Sequence, residues 1–264
     1  MKVALLQLCA TEDKTVNLKK ALAMSRQALD EGAKFVLLPE VFNYRAGGGN
    51  KEAYIRAAEK IPGPSTRAFL PLAQQHKAVF LLGSIIEKAP GSLVYNTSLL
   101  VNAQGQITAK YRKIHLFDAR LGDKAIKEGA IFKAGRRGVT AEAGGLTAGL
   151  SICYDLRFGG LYQNYARRGA DLLTVPSCFT KKTGAAHWEV LLRARAIENL
   201  CYVLAPNQVG TLNKALPAYG HSMIVDPWGE VLACAGGEAE EIVFGEIGAE
   251  AINKARAMLP GIIR

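Results

Sequence analysis

The sequence predicts an α/β fold of two stacked sheets with helices on their outer faces. Three observations lead there. Short apolar runs alternate with helical patterns along the whole chain. Many of those runs are apolar on both faces, as strands are in a sheet covered on both sides. The strands are also too many for one comfortable sheet. No Pro/Gly/Ser-rich linker and no short-period repeat divides the 264 residues, so one domain over residues 1–264 is expected.

The elements follow in order. Residues 3–8, with Val3, Leu5, Leu6 and Leu8, read as a first buried strand. Residues 15–29 place Leu18, Leu22, Ser25 and Leu29 on one helical face, and Gly32 stands where that helix would end. Residues 35–38 are a second strand, stopped by Pro39. Residues 68–76 read as helix and 79–86 as strand. Residues 95–101 and 106–111 flank Asn102-Ala103-Gln104-Gly105, a hairpin signal. After a looser middle, residues 116–138, the pattern resumes with strand 146–152, helix 161–168 ending at Gly169, and strand 172–175. A strong helix over 187–200 carries Val190, Leu191, Ala194, Ile197 and Leu200, with His187 at its start. Strands at 201–205, 222–225, 231–233 and 242–246 and a closing helix at 249–258 complete the reading.

Composition bounds the function. The chain is 49% hydrophobic and 21% charged, which suits a sizeable core and not a disordered segment. A net charge of +10 would fit nucleic acid, an anionic membrane surface or acidic substrates. No basic cluster interleaved with aromatics is present, Arg136-Arg137 and Lys181-Lys182 being only pairs, and no zinc-type Cys/His spacing occurs. No nucleic-acid partner is therefore expected. No run is long enough to span a membrane. Cys9, Cys153, Cys178, Cys201 and Cys234 are odd in number, lack a CxxC and lie in or beside apolar segments. They read as reduced thiols of a cytoplasmic protein.

Three polar residues stand where chemistry could occur. Glu40 follows the strand at 35–38, Cys153 ends the run Leu150-Ser151-Ile152, and Lys113 lies just past the hairpin. Ligand sites of α/β folds gather beyond the carboxyl ends of strands. Singly, each has a plain structural explanation: a solvated Glu, a core thiol, an exposed Lys. Together they supply what acyl transfer needs, namely a thiol nucleophile, a proton carrier, and a cation where an oxyanion develops. A papain-like site using His115 or His187 as base is a second enzyme class, but its local signature is absent. A non-catalytic binding protein is the alternative outside enzymes.

The segments Leu37-Leu38-Pro39-Glu40-Val41-Phe42, Tyr111-Arg112-Lys113-Ile114-His115-Leu116-Phe117-Asp118 and Ser151-Ile152-Cys153-Tyr154-Asp155-Leu156-Arg157-Phe158 resemble the three signature segments of the nitrilase, or carbon–nitrogen hydrolase, superfamily. The resemblance implies a four-layer α-β-β-α sandwich that pairs as a homodimer through helical faces. It implies Glu40, Lys113 and Cys153 as the catalytic set, with Glu128 of Lys127-Glu128-Gly129 as a supporting carboxylate. Lys113 would favour the Cys153 thiolate and Glu40 would accept its proton. Lys113 and the Tyr154 backbone N–H would hold the oxyanion. No metal or organic cofactor is needed for such a reaction on a small-molecule amide.

The second half resembles the deaminated-glutathione amidase branch, through Pro176-Ser177-Cys178-Phe179-Thr180, the run from Thr183 to Glu198, and Tyr219-Gly220-His221-Ser222-Met223. That branch implies release of 2-oxoglutarate and cysteinylglycine from an acidic substrate. Omega-amidases acting on 2-oxoglutaramate usually carry Asn where Thr180 stands and Trp where Tyr219 stands. They remain an alternative, as do other small-amide or N-carbamoyl hydrolases. Thr180 and Tyr219 are thus candidate substrate contacts, with Lys181, Lys182 and Lys214 as candidate partners of substrate carboxylates. Gly159-Gly160 and Leu216-Pro217-Ala218 depart from the branch pattern and are expected near the pocket mouth.

Overall fold

The computed structural model describes residues 1–47, 50–121, 124–211 and 216–261. The first half builds five strands of one six-stranded sheet. Strands β1 (Lys2–Gln7), β2 (Phe35–Leu37) and β3 (Val79–Lys88) run parallel, and β4 (Val94–Val101) and β5 (Ile107–Arg112) continue antiparallel. The second half repeats the plan. After the hairpin β6 (Asp118–Leu121) and β7 (Lys124–Lys127) and strand β8 (Val139–Ala143), strands β9 (Leu146–Leu150), β10 (Leu172–Thr174) and β11 (Tyr202–Ala205) run parallel. A short pair, β12 (Val209–Gly210) and β13 (Ala218–Tyr219), precedes β14 (Met223–Val225) and β15 (Val231–Cys234), which continue that sheet antiparallel. Strand β16 (Glu241–Glu246) returns to pair with β1, and β8 closes the matching edge beside β9. The central strands of both sheets are buried on both faces and so run apolar without polar alternation.

Side-chain alternation sorts the core into layers. Val3 and Leu5 of β1, Phe35 and Leu37 of β2, and Val79 and Leu81 of β3 join Ala148, Leu150, Leu172 and Ile224 between the sheets. Ala4, Leu6, Val36, Leu38, Phe80 and Leu82 face the other way. They pack under α1 (Lys14–Asp30) and α4 (Leu70–His76) through Ala21, Ala28, Leu29, Leu72 and Ala73. The second sheet is covered by α5 (Gly159–Arg167) and α6 (Lys181–Asn199), which contribute Tyr162, Tyr165, Trp188, Leu192 and Ala196. Gly149 of β9 is required here, because a Cβ would sit 2.6 Å from the Tyr165 ring. The result is the expected four-layer sandwich.

Several expectations need correction. The looser middle at 116–138 contains the β6–β7 hairpin, whose polar residues gave no strand signal. The helix expected at 68–76 is preceded by a separate turn, α3 (Pro64–Arg67), and α2 (Lys51–Ala57) was not anticipated. The long helix begins six residues before His187. Thr180 is its N-cap, with its hydroxyl accepting from the Thr183 N–H, and His187 lies exposed in mid-helix.

Candidate active site

The Cys153 arm begins at β9. Beyond it the chain turns sharply into a single 3₁₀ segment, Cys153–Arg157, and Cys153 itself takes a left-handed φ of 48°. A non-glycine residue held there costs about 1–3 kcal/mol and persists only where its surroundings over-determine it. They do so here. The Cys153 N–H donates to the Pro176 carbonyl at 2.9 Å. The fully buried Asp155 carboxylate accepts from the Ile152 N–H at 2.9 Å, the Tyr111 hydroxyl at 2.7 Å and the His115 N–H at 3.0 Å. His115 Nδ1 lies 2.7 Å from the same carboxylate. Asp155 therefore ties the Cys153 turn to the segment that carries Lys113.

The Glu40 arm mirrors it. Glu40 follows β2, and the next residue, Val41, is also left-handed at φ 47°, an outlier for a β-branched side chain. Its N–H donates to Ser84 Oγ at 2.7 Å. Beside it, the backbone of Leu38 approaches Gly83 so closely that a Cβ would meet the Leu38 carbonyl oxygen at 1.6 Å and the Pro176 ring at 2.7 Å. The Glu40 side chain is fully engaged. Oε1 accepts from Asn96 Nδ2 at 2.8 Å and from Lys113 Nζ at 2.9 Å, while Oε2 accepts from the Cys178 N–H at 2.9 Å.

Lys113 is 2% exposed and stands between two carboxylates. Its ammonium donates to Glu40 Oε1 and to both oxygens of Glu128, all at 2.9 Å. Glu128 is fixed by a further bond from the Phe117 N–H. Burial alone would lower the Lys113 pKa, but Glu128 and Glu40 override it and hold the ammonium well above its ordinary value. Burial raises the Glu128 pKa against the pull of Lys113. Burial, then the charge of Glu40, raises the Cys153 thiol well above its ordinary value, and the pull of Lys113 is insufficient to reverse this. Lys113 thus pulls toward the thiolate as expected, but burial and the charge of Glu40 outweigh it.

These side chains line one cavity of about 660 Å³. Among the described residues its wall carries four cations, Arg45, Lys51, Lys113 and Lys127, against two carboxylates, Glu40 and Glu128. Thr180 reaches the wall as well. Tyr219 does not; it packs against Gly184 of α6 and stacks on His221 at 4.1 Å. The Tyr154 N–H makes no hydrogen bond among the described residues, while the Tyr154 ring packs on Phe117 and Phe158. Lys181 is exposed and pairs with Glu238 at 3.3 Å, and neither it nor Lys182 lines the cavity. Lys214 lies outside the described residues. Leu216 is on the wall, whereas Gly159 and Gly160 open α5 and Gly159 faces Arg195 and Glu198 instead.

No histidine lines this cavity among the described residues. His115 is held by Asp155 and stacks on Phe158 at 3.6 Å, and His187 faces Arg157. The papain-like alternative therefore lacks its base. Nor do three His, Cys, Asp or Glu side chains come together as metal ligands among the described residues. Asn96, Asp155 and the Cys178 N–H were not singled out from sequence. Asn96 opens a polar stretch, Asn96-Thr97-Ser98, inside the buried strand β4, which is the signal that could have found it.

Two layers of helix around two sheets, with a Cys, two Glu and a Lys gathered at the strand ends, are the makings of a carbon–nitrogen hydrolase. The model of that family matches residues 2–257, and the chain belongs to it. It is a hydrolase of carbon–nitrogen bonds other than peptide bonds. Among its relatives, the human omega-amidase NIT2 is 40% identical over 98% of this chain and 92% of its own length. The deaminated glutathione amidase of Dictyostelium discoideum is 38% identical over 98% and 91%. Among solved structures, the C. elegans NitFhit protein superposes with a TM-score of 0.91 at 37% identity, over 98% of this chain and 63% of its own. Saccharomyces cerevisiae Nit3, of the nitrilase superfamily, gives 0.89 at 34%, over 99% and 94%. No described helix is long and apolar enough to cross a membrane.

Proposed function

We propose that this chain, acting as one hydrolase domain, is a cysteine-dependent amidase of small acidic amides, with Cys153 as nucleophile. The observation that carries the reading is the buried hydrogen-bonded set Glu40–Lys113–Glu128 beside the Cys153 turn, at the wall of a single cavity. The Cys153 S–H bond breaks as sulfur attacks the amide carbon, and Glu40 takes the proton. Lys113 and the unpaired Tyr154 N–H stabilise the resulting oxyanion. The carbon–nitrogen bond then breaks, Glu40 returns the proton to the departing amine, and a thioester remains. Glu40 next removes a proton from water, which adds to the thioester, and collapse releases the acid and restores the thiol. Glu128 spends its two oxygens on Lys113, so its role is to hold that ammonium in place.

The preferred substrate is deaminated glutathione, split to 2-oxoglutarate and cysteinylglycine. Thr180 on the cavity wall is shorter than the Asn usual in omega-amidases and leaves room for a dipeptide leaving group. The excess of cations on the wall suits an anion. The second reading is omega-amidase activity on 2-oxoglutaramate, favoured by the human relative; both substrates would pass through one 2-oxoglutaryl thioester. An amide panel with mass-spectrometric product detection decides. Deaminated glutathione should show a kcat/KM at least ~10-fold above 2-oxoglutaramate, a difference of ~1.4 kcal/mol in transition-state binding. The reverse order assigns the omega-amidase, and inactivity on both rejects both substrates.

The protein is further proposed to be a cytoplasmic homodimer. Trp188, Leu192 and Ala196 of α6 are spent inside the chain, but Val190 and Ile197 remain exposed, as does Trp228, whose neighbour Gly229 lies against Ile197, and such apolar surface suits an isologous contact. Light scattering at micromolar concentration should give twice the chain mass of 28.4 kDa.

A further inference from the structure

Arg45 is the anomaly of the cavity wall. It follows Glu40 by five residues and is 9% exposed. One edge of its guanidinium is satisfied, with Nη2 donating to the Leu216 carbonyl at 2.7 Å. The other, Nη1, is buried and has no hydrogen-bond partner. No carboxylate of the described residues lies within ion-pair distance of Arg45. Buried guanidinium groups are ordinarily paired, because an unpaired one forfeits several kcal/mol of solvation. Every other deeply buried charge at this site obeys that rule: Glu40 accepts three hydrogen bonds, and Lys113 donates to two carboxylates. Among the described residues of the site, Arg45 is the buried charge left with an unpaired donor, ready for a group they do not supply.

We infer that Arg45 is the anchor for a carboxylate on the acyl half of the substrate, taken by its guanidinium at the cavity wall. The inference rests on the amidase reading above and names the determinant of its acidic specificity. The guanidinium fork suits a planar carboxylate, to which it donates charge-assisted hydrogen bonds. Its depth assigns the acyl half. The acyl group must stay bound as a thioester while the amine leaves, so the leaving group belongs toward the opening and the acyl chain toward the buried end. Lys127 is exposed and Lys51 half-buried, which puts them nearer that opening than Arg45. With Arg45 the acyl anchor, the cavity would prefer chains ending in an anion over neutral chains of the same length.

Glutaramate and pentanamide test this, since they differ only in a terminal carboxylate against a methyl. The native enzyme should prefer glutaramate, and the ratio of the two kcat/KM values should fall ~10²-fold in Arg45→Met and less in Arg45→Lys, the scale of a charge-assisted contact. An unchanged ratio, or an equal fall on both substrates from loss of the Leu216 support, would overturn the inference. So would a fall seen only when the carboxylate sits on the leaving group, as in N-butyrylglycine. Calorimetry of Cys153→Ala with glutarate gives a readout free of turnover. Binding should be measurable and at least ~10-fold weaker when Arg45→Met is added; no binding, or equal binding, rejects the anchor. If the native enzyme turns over no amide while glutarate binds through Arg45, the amidase reading fails and the anchor stands.

Discussion

Replacing Lys113 by Met removes the one cation shared by two buried carboxylates, and its consequences can be worked from the geometry. Three hydrogen bonds of 2.9 Å are lost, and Glu40 and Glu128 are left facing a methyl group. Removing one member of a buried charged set costs about 3–5 kcal/mol. At about 2–4 °C per kcal/mol for a chain approaching this size, the melting temperature should fall by about 6–20 °C. The loss should depend on pH in a definite sense. Lys113 holds a raised pKa in the native fold, so its stabilisation is fully present below the ordinary lysine value and throughout the working range. Glu128 is already raised by burial while Lys113 opposes that rise. Without the ammonium, its folded pKa climbs further. A carboxyl raised on folding favours the native state below its unfolded pKa and loses that contribution as pH rises through the folded value. The deficit of Lys113→Met relative to the native protein should therefore shrink toward pH 5 and be full by pH 8. Differential scanning calorimetry across pH 5–8 measures it, and amide turnover should drop at least ~10²-fold in parallel. A melting temperature within 2 °C of native at pH 8, or a deficit of constant size across that range, would refute the reasoning.

Other outcomes follow from the same contacts. Cys153→Ala should fold normally and lose essentially all turnover; activity above about 1% of native, against the 10²-fold or larger loss set by removing a reacting group, would remove Cys153 from its role. Glu40→Gln should lose ~10²–10⁴-fold in rate as the proton acceptor disappears. It should also cost about 1–3 kcal/mol of stability, because its amide NH₂ would face one of the three donors that Glu40 now satisfies; His115→Ala, by comparison, should be the milder in rate. Asp155→Asn should impair catalysis without touching substrate, since it replaces a carboxylate that accepts from Ile152, Tyr111 and His115 together. Iodoacetamide labelling should show a slower Cys153 in that variant, and unchanged labelling would argue against Asp155 as the residue that positions the turn.

The strands and helices that frame the site were largely readable, because burial writes itself into local composition. β1, β3, β4, α1 and the closing helix α7 (Ala249–Met258) fall within a residue or two of their expected limits. The polar pair β6 and β7 was invisible for the same reason: Asp118–Arg120 and Ala125–Lys127 are exposed or half-buried, so no apolar run marks them. Glu40, Lys113, Cys153 and Glu128 were each recognisable from family segments, and the sequence thereby determined the class of chemistry and singled out the residues proposed to carry it. It could not determine their protonation. Nothing local announces that Lys113 sits between two carboxylates contributed from 73 and 15 residues away, or that burial outweighs its effect on Cys153. Nor does Tyr219 betray that it packs under α6 instead of lining the cavity. Side-chain type is a local property, whereas solvation, backbone strain at Val41 and Cys153, and the unspent edge of Arg45 depend on what distant strands bring alongside, and only the tertiary fold decides that.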